Sequence, residues 1–226
     1  MAFRGRPSFS FFLGGSVYVL YYSPGAASFA VHWLLIELGV PFEARRLDLD
    51  AQEHKRPEYL KLNPNGLVPT LLIDGKPVYE SAALVALLAE RHPEAKLSPA
   101  VGTAERTTYL QWMFHLSNTL QPAFRTWFYP EAAAGAANID AAKAEVRPRI
   151  EAAWERIASH LSSAGPTMCG ERLSAVDFFA TMLMRWSRNM PRPATSWAEI
   201  ASYVAKMKSR PSFRELYARE ELAEWS

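Results

Sequence analysis

Asn63-Pro64-Asn65-Gly66-Leu67-Val68-Pro69-Thr70 joins the end of a helical pattern to the start of a strand. The chain turns on Gly66 and enters the strand through Val68-Pro69. A proline that opens a strand cannot donate to the sheet ladder. A cis Val68-Pro69 bond would keep the turn tight and leave the backbone groups of Val68 facing outward. There an extended peptide could pair with them as an added strand. Further along, Tyr79-Glu80-Ser81 opens another helix. The Ser81 hydroxyl and the N–H groups of that first turn suit a carboxylate. Together the two segments predict a site for a short, extended, anionic peptide.

Outward from this stretch, the first part of the chain alternates strand and helix. Val17 to Tyr22 is β-rich, and Ser23-Pro24-Gly25 breaks it. Val31, Leu34, Leu35 and Leu38 then recur at helical spacing, up to the stop at Gly39 and Pro41. Phe42 to Leu49 reads as a second strand, parallel to the first because a helix separates them. A short helix precedes Asn63. Leu71-Leu72-Ile73 and Lys76-Pro77-Val78-Tyr79 flank Asp74-Gly75 as a hairpin, with Pro77 on an edge strand. A helix from Ser81 to about Arg91 follows. The order β-α-β-α-β-β-α predicts an α/β, thioredoxin-like domain over residues 17–92.

Residues 93–103 carry Pro93, Pro99 and Gly102 and read as a linker. Residues 104–226 show no strand pattern and predict an all-helical second domain. Its parts are one long helix from Glu105 to about Trp127 and another from about Ile139 to Ser163, with Pro148 inside. A helix near Trp197–Ser209 and a short one after Pro211 complete it. Leu173-Ser174-Ala175-Val176-Asp177-Phe178 starts a further helix: Ser174 caps the first turn, Asp177 reaches back to its N–H, and Leu173 can staple onto Phe178. This is a stability feature. Residues 1–16, with Arg4, Arg6 and a short, broken apolar run, read as a tail outside the fold.

Of 226 residues 49% are apolar, enough to bury a core without cross-links. The formal charge is +2, which gives no reason to expect nucleic acid or an anionic membrane as a partner. No run reaches the roughly 18 apolar residues of a membrane helix. Cys169 is the only cysteine, so no intramolecular disulfide can form, and a reducing, cytoplasmic setting is the default. His32 and His115 have no paired ligand spacing, and no metal site is expected.

A Val-Pro strand entry followed by Glu-Ser at a helix start resembles the glutathione site of the glutathione transferases. Tyr21-Tyr22-Ser23-Pro24-Gly25-Ala26-Ala27-Ser28 resembles the opening of the family's bacterial beta class. The resemblance runs from about Val17 to about Leu222. It implies a thioredoxin-like domain followed by an all-helical one, glutathione as co-substrate, a homodimer and a detoxifying conjugation of a small hydrophobic electrophile. It also implies site residues. Val68 would pair with the cysteinyl unit of glutathione and Pro69 would fix the turn. Glu80 and Ser81 would hold the γ-glutamyl end, and Gln52, Lys55 and Asn65 the glycyl carboxylate.

The sequence departs from the beta class in two places. Its reactive cysteine falls at Ala27, and the histidine facing the thiol aligns with Gln121. Glutathione-dependent chemistry still needs a stabilised thiolate. Lowering a thiol pKa by about two units takes about 2.7 kcal/mol, within reach of one or two hydrogen bonds at about 1.5–3 kcal/mol each to a charged acceptor. The hydroxyls at that place are Ser28, Tyr21 and Ser23, in that order of preference. Each also has a plain structural role, as a helix cap or a strand residue. Trp112, His115, Gln121 and Phe124, with Trp127, Phe128 and Trp186, are candidates for the second substrate, although aromatics at helical spacing commonly form core. The losses at Ala27 and Gln121 keep two alternatives open: a glutathione-binding or scaffold protein without efficient catalysis, and a glutathione-dependent isomerase or dehalogenase.

Overall fold

The computed structural model describes residues 17–225; the tail over residues 1–16 lies outside them. β1 (Tyr18–Tyr22) alternates buried with half-buried residues, the period of a strand with one face in the core. It is followed by α1 (Phe29–Glu37), in which every residue from Phe29 to Leu35 is buried. A helix apolar all round has to be covered on all sides. β2 (Phe42–Arg46) returns parallel to β1, from Tyr18 opposite Phe42 to Tyr22 opposite Arg46. It stops at Arg46 and not at Leu49, because β1 has no residue left to pair with.

α2 (Pro57–Leu60) is the short helix expected ahead of Asn63. β3 (Thr70–Ile73) and β4 (Lys76–Tyr79) form the hairpin. Asp74 and Gly75 both have positive φ, 52° and 80°, the turn that matches strand twist. The sheet order is β2-β1-β3-β4, which leaves Pro77 on the edge strand. α3 (Ser81–Arg91) closes this thioredoxin-like layer.

The remainder is helical. α4 (Ala104–His115) and α5 (Gln121–Phe128) were expected as one helix, and a π turn over Leu116–Leu120 divides them. Pro122 accounts for the division, since it has no N–H to give to the carbonyl one turn back. α6 (Pro130–Ala134) is a short helix that the sequence pattern did not mark. α7 (Ile139–Ala164) runs through Pro148. α8 (Ala175–Trp186) begins with the expected capping box: the Ser174 N–H donates to Asp177 at 2.7 Å. The buried Asp177 carboxylate also accepts from the Met168 N–H at 2.8 Å and the Tyr203 hydroxyl at 2.9 Å. α9 (Ala198–Lys208) and α10 (Pro211–Arg219) follow.

α1 is the joint of the molecule. It packs against α3 on its own side and against α8 and α10 on the other. Trp33 lies at the centre, fully buried, with its ring 4.9 Å from that of Phe178 and its indole N–H donating to Ser212 at 2.9 Å. The sheet domain therefore meets the helical half through α1 and also through α3, which packs on α8 as well, and the start of α1 opens at the boundary between the two.

Candidate active site

The turn at residues 63–70 is assembled from within. The Asn63 side-chain amide donates to the Leu67 carbonyl at 2.9 Å, and the Tyr59 hydroxyl donates to the same oxygen at 2.6 Å. Both also reach the Thr70 hydroxyl. Gly66 has φ +56°, and a Cβ there would lie 2.9 Å from the His54 carbonyl, so the turn requires glycine. The Val68-Pro69 bond is cis. Because Leu67 satisfies the inner donors and β3 begins only at Thr70, the amide and carbonyl of Val68 have no hydrogen-bond partner among the described residues. They stand ready for an added strand.

Beside them, Glu80 has φ +78°, an uncommon backbone for a residue with a Cβ and one that concentrates at functional sites. Glu80 stands at the N-cap position and Ser81 is the first residue of α3. The Ser81 hydroxyl donates to the Ala27 carbonyl at 2.8 Å, which ties the start of α3 to the turn before α1.

These residues line a cleft of about 1010 Å³ between the sheet domain and the helices. Val68, Pro69, Glu80, Ser81, Gln52, Lys55 and Asn65 all reach it. Lys55 is anchored there, its ammonium donating to the Gly66 carbonyl at 2.7 Å. His54 lines the same wall, and burial, with Lys55 adding to it, holds its imidazole below the usual value. It is therefore neutral at neutral pH. The far wall carries Ser117, Gln121, Arg125, Phe128, Tyr129, Trp186 and Arg188.

The expected thiol hydroxyls of Ser28, Tyr21 and Ser23 do not line the cleft. Ser28 is fully buried; its Oγ accepts from the Ser23 N–H at 3.2 Å and donates to the Ser23 carbonyl at 3.1 Å. It staples its own loop. Ser23 is buried too. Tyr21 lies on the sheet, its hydroxyl accepting from Arg45 at 2.8 Å and its ring 5.6 Å from that of Tyr59. The groups that do reach the cleft here are Pro24, Gly25, Ala26 and Ala27. The amides of Ala27 and Ser28 make no hydrogen bond among the described residues, and they precede the first turn of α1.

Four of the residues expected at the second-substrate wall, Trp112, His115, Phe124 and Trp127, do not line the cleft. Phe124 is fully buried against Phe128, Trp154 and Trp186. Trp112 packs on His115 and His160 in the core. His115 does not line the cleft; burial, with Arg156 adding to it, lowers its pKa. Gln121, Phe128 and Trp186 do line it.

Sequence reasoning missed the latch behind the site. Gly25 donates its N–H to Glu220 at 2.8 Å and accepts from the Trp186 indole at 3.0 Å. A Cβ on Gly25 would lie 2.7 Å from the Arg185 guanidinium. Glu220 is itself buried and lies 2.8 Å from Nδ1 of the buried His32. Only Pro24-Gly25 signalled a close approach; nothing near Glu220 in the sequence singles it out.

Residues 26–91 match the family model described as the glutathione S-transferase N-terminal domain. The chain is 26% identical over 208 residues to glutathione S-transferase GstA of Escherichia coli O157:H7, spanning 90% of this chain and 98% of GstA. A sphingomonad glutathione S-transferase solved in complex with glutathione superposes with a TM-score of 0.80 at 28% identity, over 91% of this chain and 100% of that one. BphK, a bacterial glutathione transferase solved as a ternary complex, superposes with a TM-score of 0.81 over 90% of this chain. At 31% identity across 100% of the BphK chain, the protein belongs to the glutathione S-transferase family.

Proposed function

We propose that this enzyme conjugates the thiolate of glutathione to a small electrophile, with main-chain amides at the start of α1 holding the sulfur. Glutathione lies extended along Val68, its cysteinyl unit paired with the free amide and carbonyl there. The first-turn amides of α3 take the γ-glutamyl carboxylate, joined by the Ser81 hydroxyl as it turns from the Ala27 carbonyl, and Glu80 takes the ammonium. Lys55, Gln52 and Asn65 take the glycyl carboxylate. This places the sulfur over Ala27. There the unpaired amides of Ala27 and Ser28 can donate to it, at about 1.5–3 kcal/mol for each bond to a charged acceptor. The dipole of α1 adds up to about 1 kcal/mol. That is enough for the roughly 2.7 kcal/mol of a two-unit shift. The second substrate lies against α5, and the two are brought together by proximity. The same reading makes the protein a cytoplasmic, detoxifying homodimer.

The observation that carries this is the free main chain of Val68 beside the start of α3. A second reading, glutathione binding without efficient turnover, is favoured by one observation: among the described residues, no side-chain hydroxyl of β1 or of the turn before α1 reaches the cleft. Titration calorimetry with glutathione, beside conjugation of a generic aryl halide, separates the two. Saturable binding with turnover is expected. Binding with no turnover on any of a panel of electrophiles supports the second reading, and absence of binding defeats both.

A further inference from the structure

Among the described residues four cationic side chains line the cleft, and three of them already have a polar partner. Lys55 is bonded to the Gly66 carbonyl. Arg185 donates to the Tyr217 hydroxyl at 2.9 Å and Arg188 to the Glu224 carboxylate at 2.8 Å. Arg125 differs. It is exposed on α5, and its guanidinium lies 5.5 Å over the ring of Tyr129. Its guanidinium makes no hydrogen bond or ion pair with any described residue. Gln121 precedes it at i, i+4, so the two share one face of the helix. Beside them Phe128 and Trp186 meet edge to face at 5.9 Å and 83°.

A fixed cation, an amide and an aromatic ledge on one wall define a ligand with a flat ring and a negative group. Glutathione itself does not need Arg125, because both of its carboxylates have donors on the opposite wall. We propose that the second substrate is an aromatic electrophile bearing a carboxylate or similar anion, with its ring on Phe128 and Trp186 and its charge on Arg125. This rests on the transfer reading above. For an aryl halide, the thiolate sulfur forms a bond to the ring carbon that carries the halogen. The carbon–halogen bond then breaks, the halide leaves with the bonding pair, and the thiol proton has gone to solvent.

The test uses a matched pair, a chloro-dinitrobenzoate and its methyl ester, with the wild type, Arg125→Met and Arg125→Lys. Arg125 is exposed, so both variants are expected to fold. The wild type should prefer the acid to the ester. Arg125→Met should lower kcat/KM for the acid about tenfold, the size of one charge-assisted hydrogen bond. It should leave the ester and the KM for glutathione unchanged, while Arg125→Lys restores part of the preference. Equal loss on acid and ester, or a raised KM for glutathione, would overturn the assignment of Arg125 while leaving the transfer reading intact. Glutathione binding with no turnover of either compound by the wild type would overturn the transfer reading, and this proposal with it.

Discussion

The two walls of the cleft are built differently. The sheet-side wall presents main chain: the unpaired peptide groups of Val68, the amides ahead of α1 and the first turn of α3. The helical wall presents side chains: Gln121, Arg125, Phe128, Tyr129 and Trp186. Main-chain groups are placed by turns, and turns are fixed by a few residues such as Gly66 and Pro69. Side chains on α5 are placed by how that helix packs, which depends on distant residues such as Trp154 on α7. A constant ligand suits the first kind of wall and a variable one the second.

The division is not complete, because the main-chain wall leans on a side chain from the helical half. Glu220, itself buried, holds the half-buried Gly25 amide and faces the buried His32. Glu220→Ala should therefore cost about 3–5 kcal/mol, the usual consequence of breaking a buried pair, read by denaturant titration. Glu220→Gln, which keeps an acceptor for Gly25, should cost less. Equal stability in all three proteins would break the link between the walls.

A second difference concerns sulfur. The protein's own thiol lies in the helical half, away from the cleft. Burial pushes Cys169 up to about 11, with its hydrogen bond to Ser174 opposing. The native protein should then be alkylated roughly 100-fold more slowly than an ordinary thiol at neutral pH, since two pKa units cost a hundredfold in thiolate. The sign for stability follows. The folded thiol has the higher pKa, so its contribution is full below the value of the unfolded thiol and is lost as pH rises through about 11. Rapid alkylation of the folded protein would put a reactive thiol where none is expected.

A third test sharpens the sheet-side wall. Ser81→Ala removes one hydroxyl but leaves the α3 amides in place. Glutathione affinity should fall about tenfold, one hydrogen bond to a charged group, with kcat for a saturating aryl halide little changed. A fall in kcat with affinity intact would move Ser81 from binding to chemistry.

The same contrast explains what the sequence made legible. The βαβ unit, the hairpin at Asp74-Gly75, the capping box at Ser174 and the Val68-Pro69 turn each rest on residues close together in the chain, where local chemistry sets the backbone. The start of α1 was legible as a place but not as a group. Ser23 and Ser28 read as hydroxyls facing a ligand, yet both are buried, and the Ser28 hydroxyl bonds the main chain of Ser23. No spacing rule distinguishes a serine turned inward from one turned outward. Phe124 and Phe128 share one helix face, and which of them is core depends on Trp154 and Trp186, far away in sequence. Glu220 was invisible for the same reason.

The central claim is that main-chain amides, and not a side-chain hydroxyl, hold the thiolate. The thiol pKa of bound glutathione, followed through the ultraviolet absorbance of the thiolate, tests it in Ser28→Ala, Ser23→Ala and Tyr21→Phe beside the wild type. Ser28→Ala should lose about 1 kcal/mol of stability with its loop bonds. In all three variants the bound thiol should titrate at the depressed value of the wild type. A return to the value of free glutathione on removing any one of those hydroxyls would contradict the account.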